Sequence, residues 1–174
     1  GLVIAGKTLK GVQAVNEIIR THKLDKYYLT LVAGEIRHAG EITGYLTKDE
    51  DKNQVRISKR EGMGAKTLTK YRPIAHAKGY TLLEIHLITG KTHQIRAHMQ
   101  SIGHPVVGDR KYGAEHSNEK FRKEYALSNQ FLHALRVEWN EKEGPLGYLY
   151  GKEMTAPLPK TLQDICDGLF GKCE

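Results

Sequence analysis

Residues 89–113 read TGKTHQIRAHMQSIGHPVVGDRKYG, and the fold turns on how they are read. They follow an alternating apolar run, Leu83, Ile85 and Leu87, that reads as a strand with one buried face. Thr89-Gly90 ends that strand. Thr92 is placed to cap a helix whose apolar positions Ile95, Met99 and Ile102 share one face, and Gly103 is placed to close it in a left-handed cap. On a helical wheel His93, Arg96 and Gln100 fall beside that stripe, with His98 on the opposite flank. A strand thus delivers an arginine and polar partners to a helix start, where an anion is welcome. Gly103-His104-Pro105 then turns the chain, and residues 108–113 (GDRKYG) form a second polar loop.

A length of 174 residues suits one domain with a real core, and a hydrophobic share of 39% argues for a globular chain. No apolar run approaches membrane-spanning length and no leader peptide is visible, so a cytoplasmic monomer away from membranes is expected. The formal charge of +7 is unevenly placed. Residues 89–123 hold seven basic side chains (Lys91, Arg96, Arg110, Lys111, Lys120, Arg122, Lys123) against three acids (Asp109, Glu115, Glu119). That local excess is what a phosphate-tracking groove requires. Cys166 and Cys173 lack metal-type spacing and suit a reducing compartment.

Outward from the central stretch, Leu2-Val3-Ile4-Ala5 is a continuous apolar run typical of a strand buried on both faces. Thr8 can cap a helix that turns Leu9, Val12, Val15 and Ile19 to the core. Tyr28 to Val32 reads as a strand ended by Gly34, with Leu29 and Leu31 on one face and Tyr28 and Thr30 on the other. Residues 36–58 are polar, with strand-like pieces at 43–46 and 55–58 around a mixed-charge turn at 48–53. Thr67, Thr69 and Tyr71 alternate with Leu68, and a turn at residues 76–79 makes an antiparallel hairpin with the strand before the central stretch. Residues 115–123 form a loop or short helix, residues 131–139 return as a strand, and an amphipathic helix covers 162–169.

Taken with these elements, residues 89–113 closely resemble the central motif of the RluA-type RNA pseudouridine synthases, which reads roughly TGRTHQIR, a short helix, GHP, GD and YG. Lys91 stands where that family usually has arginine; charge is kept and the planar fork is lost. Residues 26–32 (KYYLTLV) resemble the family's K-x-Y-x-A-x-V motif, whose active-site tyrosine falls on Tyr28 rather than Tyr27. Residues 131–139 resemble its L-H-A block, which sets Leu132 near a flipped base. On the residues alone, Tyr28 is equally a core tyrosine and Leu132 a core leucine.

The resemblance implies an α/β domain of the α+β type, with a mixed, largely antiparallel central sheet flanked by helices. It also implies conversion of a uridine in ribosomal or transfer RNA to pseudouridine, without cofactor or metal. Tyr28 would lie against the base and Arg96 would pair with a nucleophilic aspartate. Lys91, Thr92, His93, Gln94, Arg110 and Lys111 would contact RNA. The family's aspartate lies in an H-R-L-D-x-x-T-S-G motif just before the strand that residues 2–5 resemble. The nucleophile is therefore expected upstream of Gly1, residues 1–174 being the C-terminal portion of one catalytic domain that is incomplete at its N-terminus. Asp25, in the imitation His22-Lys23-Leu24-Asp25, is expected to be a surface turn residue, and Arg96 to lack its carboxylate partner. A non-catalytic RNA-binding module or inactive fragment is the second reading. A metal-dependent hydrolase using His86, His93, His98, His104 or Asp109 is the third, and the five-residue step from His93 to His98 argues against it.

Overall fold

The computed structural model describes residues 1–49, 54–62 and 64–171. The expected charged turn at 48–53 falls, from residue 50 onward, outside the described residues, as does Cys173. The elements are α1 (Leu9–Arg20), β1 (Leu24–Ala33), β2 (Gly40–Asp49), β3 (Gln54–Ser58), β4 (Ala65–Ala77), β5 (Tyr80–Leu87), α2 (Gln94–Ser101), α3 (Glu115–Tyr125), β6 (Leu132–Trp139), β7 (Glu153–Thr155) and α4 (Lys160–Phe170). The strands form one sheet in the order β3-β2-β4-β5-β1-β6-β7, and each pairing in it is antiparallel.

The β4–β5 hairpin forms as expected, around Lys78 and Gly79. Both take positive φ (52° and 78°), the twist that a two-residue hairpin turn requires. Leu83, Ile85 and Leu87 face α2, packing with Ile95 and Met99. Tyr80 and Leu82 are buried too, on the other face. The single buried face expected of this strand is therefore half the account: α3 and α4 cover the second face with Phe121, Ile165 and Leu169. β1 runs down the middle between β5 and β6. Leu29 and Leu31 point toward α3 and α4, while Tyr28 and Val32 join the α2 side.

The N-terminal expectation needs correction. Residues 2–5 form no strand: Leu2 donates its N–H to Ala134 O and packs near Trp139, but Val3 is 89% exposed. Four apolar residues in a row do not bury two faces where one neighbouring strand lies on one side only. Thr8 does cap α1, its Oγ1 accepting from Gly11 N at 3.1 Å. The face that α1 buries is rotated toward Ile18, leaving Leu9 and Val12 exposed. Gly103 (φ 81°) closes α2 as expected.

Candidate active site

The turn between β5 and α2 is built by a side chain that folds back on it. The Gln94 amide donates to Leu68 O and Thr69 Oγ1, and its oxygen accepts from Thr89 Oγ1 at 2.8 Å and from Lys91 N at 3.1 Å. All four hydrogen-bonding positions of that amide are filled, and Gln94 is 1% exposed. It therefore has nothing left for RNA, and the expected RNA contact at Gln94 is corrected. Thr92 is not the cap either. His93 occupies the N-cap position in the left-handed region (φ 57°, ψ 13°), with no side-chain cap; the Gln94 N–H goes to Lys91 O instead. Thr92 is left exposed.

His93 is held in that uncommon conformation from its side. Tyr112 Oη accepts from Val55 N at 2.7 Å and lies 3.2 Å from His93 Nδ1. Tyr112 Oη accepts the Val55 N–H and keeps its own proton, for which Nδ1 is the acceptor in the tautomer that carries the His93 proton on Nε2. Burial, then the charges of Arg96 and Lys111, push the His93 imidazolium below its ordinary range, so the ring is neutral at physiological pH.

Beside this turn lies a cleft of about 340 Å³ lined by Tyr28, Leu87, Lys91, His93, Gln94, Ile95, Arg96, Gln130 and Leu132. Tyr28 and Leu132 sit diagonally across the β1–β6 pairing, where Thr30 faces Leu132 and Tyr28 faces Ala134. Burial raises the Tyr28 phenol above its ordinary value, so it stays neutral. Tyr27 lies on the opposite face of the sheet, stacked on His86 at 4.6 Å and under the Arg136 guanidinium. A second cleft, of about 300 Å³, shares Lys91 and His93 and continues past Thr92 to Lys48 and Gln54. The two clefts meet at the turn.

Arg96 has a carboxylate, contrary to the expectation that it would lack one. Its Nε and Nη2 bond Asp109 Oδ2 and Oδ1 at 2.5 and 2.7 Å, and the acid is fully buried. Lys111 N and Tyr112 N also donate to Oδ1. Burial by itself would raise the Asp109 carboxyl; the guanidinium and the two N–H groups outweigh it and hold the acid below its ordinary range. Arg96 is raised in turn by that bond. The fork also lies over the Tyr112 ring at 4.9 Å. A guanidinium fixed in place by its ion pair thus stands in the cleft wall.

Arg110 and Lys111 are not brought to the Tyr28 cleft. Arg110 donates to Ser128 O and lines a separate cleft of about 750 Å³ with Asn118, Glu119 and Arg122. Lys111 is exposed near the turn, close enough for its charge to act on His93. Asp25, expected in a turn, belongs to β1 on the Tyr27 face, where His86 Nε2 (2.8 Å) and Asn140 Nδ2 (2.7 Å) engage it. His98 is buried between Thr67 and Thr69, and His104 Nδ1 lies 2.8 Å from Ala33 O. Among the described residues no group of three or more His, Cys, Asp or Glu is placed to hold a metal ion.

Lys26, which opens the motif at residues 26–32, is partly buried, with its Nζ beside Gly90 and its ammonium lowered by burial. One contributor went unread in the sequence. Gln130 joins the cleft wall from the loop before β6, with no periodicity to reveal it.

A family model described as RNA pseudouridylate synthase matches residues 1–101. The ribosomal large subunit pseudouridine synthase D of Zymomonas mobilis is 29% identical over 166 residues, covering 94% of this chain and 50% of that protein. An uncharacterized RNA pseudouridine synthase of Chloroflexus aurantiacus is 32% identical over 170 residues, covering 95% and 48%. The chain thus spans about half the length of the curated relatives it matches. The solved structure of human RNA pseudouridylate synthase domain containing 1 shares the fold, with a TM-score of 0.69 at 22% identity over 88% of this chain and 62% of that one. The matched span holds β1, β4, β5, the turn after β5 and all of α2, which carry Tyr28, Lys91, His93 and Arg96, and the chain belongs to the RNA pseudouridylate synthase family.

Proposed function

We propose that residues 1–174 belong to a catalytic domain that converts a uridine in RNA to pseudouridine, with ribosomal RNA the first substrate to try. The observation that carries this reading is the Tyr28 cleft. One tyrosine and three apolar side chains, Leu87, Ile95 and Leu132, wall a slot flanked by Lys91, His93 and Arg96. A base that leaves its stack loses a few kcal/mol. A ring-sized slot with cations at its mouth offsets that loss through contacts to the base and its phosphates. Lys91, Thr92, His93 and Lys111 take the backbone, and Arg110 takes it further along. The isomerisation breaks the N1–C1′ bond and joins C5 to C1′. The hydrogen at C5 is lost and N1 gains one, so atoms balance with no cofactor.

Arg96, paired in two places with Asp109, is held at a fixed place in the cleft wall as a donor group for the RNA. We assign the nucleophile to neither Asp25 nor Asp109. Asp25 is engaged on the far face of the sheet, and Asp109 is buried under Arg96 with both oxygens committed. The chain as written is accordingly expected to bind RNA in a salt-sensitive way and to convert none. The test is tritium release from RNA labelled at uracil C5, for this chain and for one extended upstream through an aspartate motif. Turnover by the extended form, lost in Tyr28→Ala and kept in Tyr27→Phe, supports the reading. Turnover by the present chain alone would return the nucleophile to Asp109 or Asp25.

A further inference from the structure

The buried polar side chains between α2 and β4 form a chain in which each proton has one place to go. Thr67 Oγ1 donates to Gly44 O at 2.9 Å, so toward His98 Nε2, 3.0 Å away, it can only accept. That fixes the proton of a neutral His98 on Nε2 and leaves Nδ1 bare. Thr69 Oγ1, 2.8 Å from Nδ1, must then donate to it. With its hydrogen committed, Thr69 accepts from the Gln94 amide at 3.0 Å. The second amide hydrogen goes to Leu68 O. The amide oxygen is thereby aimed at the turn, where Thr89 Oγ1 and Lys91 N donate to it. Thr67, Thr69, Gln94 and His98 are all at most 1% exposed, so no water competes for these bonds.

The direction of the chain matters as much as its length. Reversing the Gln94 amide would place its oxygen against Leu68 O and its hydrogens against the Lys91 N–H. Protonating His98 on both nitrogens would set an N–H against the Thr69 hydrogen. Burial opposes that proton and lowers the imidazolium to about 4. At its far end the chain reaches Gly44 of β2, whose strand continues to Leu46 and Lys48 in the second cleft.

We propose that His98 and Thr69 are positioning residues that, through the Gln94 amide, set the place at which the Lys91–His93 turn meets RNA at the junction of the two clefts. The proposal rests on the RNA reading above, and its test separates the two. In the protein alone, long-range proton–nitrogen NMR should find His98 as the Nε2–H form; an Nδ1–H form overturns the proposal without any variant. Thr69→Val keeps the shape and removes the hydroxyl. It should speed amide exchange at Lys91 by about tenfold, one hydrogen bond's worth, and leave Met99 within α2 changed by no more than about twofold. Thr69→Ser should restore the slow rate. Equal acceleration at Lys91 and Met99 would mean general loosening of the core and would defeat the proposal. Affinity for a uridine-containing single-stranded RNA should fall about tenfold in Thr69→Val and recover in Thr69→Ser. A loosened turn with unchanged affinity breaks the link to RNA. If the unaltered protein shows no salt-sensitive RNA binding, the functional reading fails, while the NMR results still decide the positioning of the turn.

Discussion

The two faces of the sheet are buried by different chemistry. Toward α3 and α4 the contacts are almost wholly apolar, with Leu29, Leu31, Phe121, Phe131, Ile165 and Leu169 meeting one another. Around α2 the apolar layer of Ile85, Ile95 and Met99 is joined by Thr67, Thr69, Gln94, His98 and Asp109, all buried and all hydrogen-bonded. Apolar burial is non-directional, whereas hydrogen bonds weaken steeply when their angles change. One face therefore supplies mainly cohesion, and the other also fixes angles. The cleft lies on the side that fixes angles.

The comparison is broken most severely by Asp109→Ala. It removes the partner of a largely buried guanidinium and the acceptor for two backbone N–H groups. Stability should fall by about 5 kcal/mol in denaturant unfolding, with the RNA affinity of any folded fraction also lost. Phe121→Ala strikes the other face. A loss of about 4 kcal/mol is expected there, with RNA affinity of the folded protein unchanged. Equal loss of affinity in both variants would erase the distinction between the faces.

Acid sharpens the same contrast. The unfolded His98 imidazole takes a proton near pH 6.5, the folded one only near 4. Between those values the unfolded state binds the extra proton, so His98 lowers stability as pH falls from 6.5 toward 4 and adds nothing further below. The contribution is on the order of 3 kcal/mol, and it should vanish from the pH profile of His98→Gln. The smallest effect belongs to the cap of α1, away from both faces. Thr8→Ala should cost about 1 kcal/mol in thermal unfolding and leave RNA affinity alone.

The same division explains what could be read from residues alone. The alternation of Leu83, Ile85 and Leu87, the i, i+4 stripe of Ile95 and Met99, and Gly103 all report local periodicity, and the structure has them as read. The N-cap of α2 misled because the helix starts one residue later than Thr92, at a turn set by contacts that spacing does not show. Gln94 reaches Leu68 and Thr69 across 26 and 25 residues. The pairing of Arg96 with Asp109 was not legible, since the 13 residues between them close only once the loop after α2 has turned back. Residues 2–5 misled for the opposite reason: composition describes a strand fit for two neighbours and cannot supply them.

The strand order also has a kinetic side. β2, β3, β4 and β5 are neighbours in sequence that pair largely with one another, so they can assemble as a local meander. β1 is made before all of them, yet its place is between β5 and β6. Its hydrogen bonds close loops of 61 residues from Asp25 to His86 and 101 residues from Thr30 to Phe131. Closing such loops is slow because their entropy is lost before any contact is gained. Tyr28 sits opposite Ile85 on one side and Ala134 on the other, so its seat is complete only once β6, in the last third of the chain, has paired. The cleft is closed by the pairing that spans the longer loop.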